Sequence, residues 1–174
     1  MVIVRMPGGD IEYIEADELL WMRQAFDHEF KDAVMLRITG DRIYSAETVA
    51  SLSAKFAAAG AAMARLTPPE GDIEMMVSAQ RVREVESPSP AIHHGSAGAV
   101  LKFGPKLMLA VRESEAEAKA ILDGATKDAP APAPAALAAA ALGGAIVGAA
   151  VAVAVTIPGL EGSDSKGQES PGPS

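Results

Sequence analysis

Through residue 125 the apolar positions come in short runs with two different periods. Alternation at Val2 and Val4 predicts a strand over 2–6, a turn at Pro7-Gly8-Gly9-Asp10, and a second strand carrying Ile11 and Tyr13. A connecting segment follows at Ala16 to Met22, with a helix starting near Asp17 and extending to Asp32. Ala33 to Ile38 then turns at Thr39-Gly40-Asp41-Arg42 into Ile43-Tyr44. After it Val49, Leu52 and Phe56 recur at helical spacing, with Ser45 as the predicted N-cap before Glu47-Thr48. The second half reads in the same order. Strands are predicted at Ala64 to Thr67 and around Ile73 and Met75, a connector at Ala79 to Val85, and a loop at Glu86 to Gly95. A hairpin runs from Ala99 to Phe103 through Gly104-Pro105-Lys106 into Leu107 to Val111. The half ends on a helix from Ser114 to Leu122 with Ala118, Ile121 and Leu122 inward.

The common order is matched residue by residue. Pro7-Gly8-Gly9-Asp10-Ile11-Glu12 returns as Pro69-Glu70-Gly71-Asp72-Ile73-Glu74, and Ala33-Val34-Met35 as Ala99-Val100-Leu101. Glu47-Thr48 returns as Glu113-Ser114, and Phe56 as Leu122. The expected fold class is therefore α+β: two tandem repeats of a small β-hairpin-rich unit, each closed by a short helix, at 1–60 and 61–125. A single C-terminal apolar helix of transmembrane type follows them.

That last element is the block Ala135 to Ile157, which contains no charged residue. As a helix it would span roughly 35 Å, against a hydrocarbon core of about 30 Å. Its eight Leu, Ile and Val residues contribute roughly −2.4 to −4.8 kcal/mol towards insertion, partly offset by three glycines. Ala136, Ala140, Gly144, Gly148, Ala152 and Thr156 recur at every fourth position. They form a narrow small-residue face, with a GxxxG at Gly144 to Gly148, suited to close approach of a second helix. The expected partners of this face are another copy of the chain or another transmembrane helix; the alternative is a helix buried inside a large assembly. The Ala-Pro alternation of 126–134 predicts an extended spacer, and 158–174, rich in Ser, Gly and Pro, a flexible polar tail.

Charge narrows the partners further. With 23 acidic against 15 basic residues the net charge is −8, which argues against a nucleic-acid partner, since phosphate backbones require a basic face. There is no cysteine, so neither disulfides nor thiolate chemistry enters. The apolar run at the N-terminus is too short for a signal peptide and is broken by Pro7-Gly8-Gly9. The expectation is a single-pass membrane protein whose N-terminal body lies in the cytoplasm or on the inner face of a particle.

No catalytic, cofactor or metal set emerges. His93 and His94 adjoin in a Pro/Gly/Ser loop without the spacing of metal ligands, and His28 is flanked by Asp27 and Glu29 as on a solvated surface. The acidic positions Asp10 and Glu12 fit a half-exposed strand, and Trp21 a core. Gly9 with the strand after it, the turn at Gly40 and Glu47-Thr48, together with Gly71, Gly104 and Glu113-Ser114, give each unit an order that resembles the small flagellar swarming-motility proteins of the FlbD/SwrD family. The resemblance implies non-enzymatic support of motor function at a membrane, with no catalytic residues to carry over. The expected role is a non-enzymatic, membrane-anchored structural or interaction protein docking a protein shell or a motor onto a lipid bilayer. The alternatives are a membrane-permeabilising or injected viral protein, or a flagellum-associated motility factor.

Overall fold

The structure is a computed structural model and describes residues 1–129. Val2–Arg5 (β1) and Ile11–Ile14 (β2) form an antiparallel ribbon closed by a turn in which Gly9 takes φ +93°. That left-handed backbone is strained for any side chain, which is why glycine stands there. Leu19–Gln24 (β3), Val34–Ile38 (β4) and Arg42–Ser45 (β5) form an antiparallel meander; its second turn is carried by Gly40 at φ +91°. Val49–Ala58 is the first helix (α1), capped by the Thr48 side chain accepting from Ser51 N–H. Met63–Leu66 (β6) and Met75–Ser78 (β7) pair next, and a 3₁₀ turn at Ala79–Arg81 follows. Glu84–Glu86 (β8), Ala99–Gly104 (β9) and Leu107–Val111 (β10) make a second antiparallel meander. Glu115–Asp128 (α2) begins in a capping box in which Ser114 and Glu117 satisfy each other's backbone N–H.

A five-stranded sheet in the order β5-β4-β3-β7-β6 lies at the centre, with side chains of both faces buried. On β4, Val34 and Leu36 enter one core while Met35 enters the other, as strand alternation requires. Val2, Val4 and Ile14 of the ribbon and Val49, Leu52 and Phe56 of α1 cover the first face. Leu101, Phe103 and Val111 of the three-stranded sheet β10-β9-β8, with Ala118 and Leu122 of α2, cover the second. Each fully buried aliphatic or aromatic side chain contributes about 1.5–3 kcal/mol relative to its exposed state.

This pairing overturns the expected fold class. The described chain is mainly β, and it is not two α+β units each closed by its own helix. β7 hydrogen-bonds to β3, so strands from the second half complete a sheet begun in the first, and Met63 and Met76 pack into the core that α1 covers. The helix expected from Asp17 to Asp32 is also absent. Leu19, Leu20, Trp21 and Met22 are all buried because β3 is the middle strand, apolar on both faces. Ser45 is not the N-cap of α1; its buried hydroxyl donates to Arg5 O and accepts from Glu47 N–H. Ile121 stands at the surface of α2 rather than inward. The apolar block 135–157 lies outside the described residues. Among those described, no helix is long and apolar enough to cross a membrane, α1 having 10 residues and α2 having 14.

Candidate functional site

Two strand bulges prepare the floor of a cleft between the sheets. In β3 the register steps from Leu19↔Ile38 to Trp21↔Arg37, leaving Leu20 as the extra residue. In β9 it steps from Gly104↔Leu107 to Lys102↔Met108, leaving Phe103 as the extra residue. A bulge turns its extra side chain away from simple alternation. Leu20 and Phe103, both almost wholly buried, meet at the base of a cleft of about 380 Å³, and Phe103 lies against Trp21 with ring centroids 5.1 Å apart.

Four cations surround this floor. Arg37 comes from β4, Arg81 from the 3₁₀ turn, Arg83 from the start of β8 and Lys106 from the β9–β10 turn; no Asp or Glu lines the cleft. None of the four forms an ion pair among the described residues, whereas Arg23, Arg42, Lys55, Lys102, Arg112 and Lys119 all do. Arg81 Nη2 donates to Thr39 Oγ1 at 3.2 Å, and Thr39 is fixed by its N–H and hydroxyl donating to Glu18 O at 2.9 and 3.3 Å. Arg83 is held at the rim by its N–H donating to Lys102 O at 2.8 Å. Arg37 and Arg81 are partly buried, so charge there is less screened than on an open surface. In a chain of net charge −8, this is a focus of positive potential over an apolar floor. Such a site is suited to receiving a multiply charged oxyanion.

A second, larger groove of about 850 Å³ runs between β8 and α2. Val82, Val85 and Leu122 line its floor, with Glu84, Lys119 and Asp123 along its walls.

The structure separates most residues singled out from the sequence. His93 Nδ1 is engaged with Ser89 and His94 Nδ1 with Ser96, both within their own loop. His28 stacks on Phe26 at 5.5 Å. Glu29, beside it, pairs with Arg23 at 2.8 Å. Trp21 is a core residue. Ala136, Ala140, Gly144, Gly148, Ala152 and Thr156 lie outside the described residues. The four cleft cations went unnoticed in the sequence because they are dispersed from residue 37 to 106. The two hairpin turns at Gly40 and Lys106 were the only local signal, and nothing in the sequence places those turns side by side. No family model, curated protein or solved structure matches this chain.

Proposed function

We propose that this protein is a non-enzymatic docking component of a larger assembly. Its folded body engages an anionic group on a partner through the cleft, and the uncharged run 135–157 holds it to a lipid bilayer. The observation that carries this reading is the gathering of Arg37, Arg81, Arg83 and Lys106, without a carboxylate among the lining residues, in an otherwise acidic chain. Leaving four cations uncompensated around one cleft costs stability through mutual repulsion, and a bound anion removes that cost. The run 135–157 adds the second half of the reading, because a segment that long without charge is stable in hydrocarbon.

Titration of the full chain in detergent micelles with inorganic phosphate, followed by amide NMR, tests the docking half. The expectation is saturable shifts at Thr39, Gly40 and Lys106 with a dissociation constant near or below ~1 mM, about 4 kcal/mol. An Arg37→Ala/Arg81→Ala variant should lose those shifts and keep the rest of the spectrum. Shifts of equal size in the variant, or none in the parent, would remove the cleft from the account.

A further inference from the structure

The ribbon β1–β2 and the ribbon β6–β7 occupy matching positions in their halves. Arg5 N–H donates to Glu47 Oε1 at 3.0 Å and Arg5 O accepts from Ala46 N–H at 2.9 Å. Thr67 N–H donates to Glu113 Oε1 at 2.9 Å and Thr67 O accepts from Arg112 N–H at 2.8 Å. The end of each ribbon's first strand is thus tied to the start of the following helix by the same two bonds. Registers agree as well: Ile3↔Tyr13 corresponds to Arg65↔Met76, and Met22↔Leu36 in the first meander corresponds to Val85↔Leu101 in the second.

One relation is present only once. The β6–β7 ribbon adds its β7 edge to β3, with Met22↔Met76 and Arg23↔Met75 in register, and tucks Met63 and Met76 beneath α1. The corresponding edge, that of β8, ends the three-stranded sheet, and beside it the space under α2 is the open groove of about 850 Å³. The corresponding ribbon, β1–β2, is two-stranded and leaves the β2 edge unpaired. Its outward face carries the counterparts of Met63 and Met76, namely Met1 at 70 % exposure and Tyr13 at 56 %, together with Ile3 at 50 %. Glu84 and Glu86 on the waiting edge are already paired with Lys102, so the edge itself presents no unpaired carboxylate.

We propose that the β1–β2 ribbon of one copy adds to the β8 edge of another, seating Tyr13 and Met1 in the groove beside α2, so that copies join head to tail. Val85 pairs with Tyr13 of the second copy, and Glu86 with Glu12 of the second copy, so that Tyr13 shares the face of the groove floor. The contact is heterologous, so it propagates into a filament or closes into a ring, as the rotation between copies dictates. It does not involve residues 135–157, shares only Arg83 with the lining of the basic cleft, and stands independently of the reading above.

The chain has no cysteine, which makes disulfide trapping specific. The pair Glu12→Cys and Glu86→Cys is placed in the full chain in mild detergent and oxidised; opposed strand positions lie within disulfide reach. The double variant should give a ladder of disulfide-linked dimers, trimers and higher species. The two single variants mixed should stop at the heterodimer, and each alone should stay unlinked. The pair Tyr13→Cys and Val85→Cys gives the same pattern, and the first pair, which replaces no core residue, guards against a folding defect at Val85. Adding Tyr13→Lys to the first pair should abolish the ladder. Unlinked chains in both pairs, or single variants that link as readily as the mixture, would overturn head-to-tail addition. Association through residues 135–157 alone would leave both pairs unlinked.

Discussion

Removing the Glu29 carboxylate should destabilise the body by a predictable amount. Glu29 accepts from Arg23 Nη1 at 2.8 Å and Nη2 at 2.9 Å, and from Phe26 N–H at 3.0 Å, with both side chains only 13 % exposed. Arg23 also lies over the Phe26 ring, 4.1 Å from its centroid, and donates to Gln24 O at 3.0 Å. The group thereby fixes the return from β3 to β4. Glu29→Ala leaves a desolvated guanidinium and a backbone N–H without acceptors. Breaking one side of such a pair costs about 3–5 kcal/mol, and the remaining exposure places the expectation near the lower end, at about 3 kcal/mol. Glu29→Gln retains acceptors but loses the charge and should cost about 1–2 kcal/mol. Urea unfolding of residues 1–129, which contain both cores, measures each difference, with the denaturant slope unchanged. The pH dependence is an internal check. The Arg23 hydrogen bond holds the Glu29 carboxyl below its ordinary 4.5, outweighing burial, which pushes it up. A depressed carboxyl contributes stability that is present above the unfolded value and lost as pH falls from about 4.5 through the folded one. The gap between wild type and Glu29→Gln should therefore narrow below pH 4.5 and be flat above it. A Glu29→Ala cost under about 0.5 kcal/mol, or a gap that widens in acid, would refute this account of the corner.

Other perturbations test other parts of the fold. Gly98→Ala should destabilise by about 2–4 kcal/mol in the same urea assay, because a β-carbon there would stand 2.6 Å from the Glu113 carbonyl oxygen and closer still to that of Arg112. Phe56→Ala, at a wholly buried position, should cost about 3–5 kcal/mol, and Leu52→Ala about 2–5 kcal/mol. Thr48→Ala removes the α1 cap and should cost about 1 kcal/mol by thermal or urea unfolding. Arg37→Ala and Arg81→Ala, singly, should weaken phosphate binding while leaving the urea midpoint unchanged or slightly raised, since each relieves repulsion in the cleft.

Local chemistry was readable from the chain wherever it decides the outcome locally. The turns at Gly9 and Gly40, the hairpin through Lys106 and the inward face of α1 at Val49, Leu52 and Phe56 follow from period and turn residues alone. β3 was hidden because Leu19 to Met22 carry no alternation, and a short apolar run buried on two faces has the same signature as a buried helix. The exchange of β7 onto β3 was hidden for a different reason: strand pairing across more than fifty residues is set by the completed cores, not by either strand. The cleft inherits both difficulties. Its floor depends on bulges at Leu20 and Phe103, and its cations converge only once the two meanders face each other.

Carbonate extraction of membranes containing the full chain, set beside a truncation after Ala129, tests most directly whether the body is fixed at a bilayer. The account predicts that the full chain stays with the membrane pellet, while the truncation is released and unfolds cooperatively in urea. A full chain that extracts completely, or that never sediments with membranes, would contradict it.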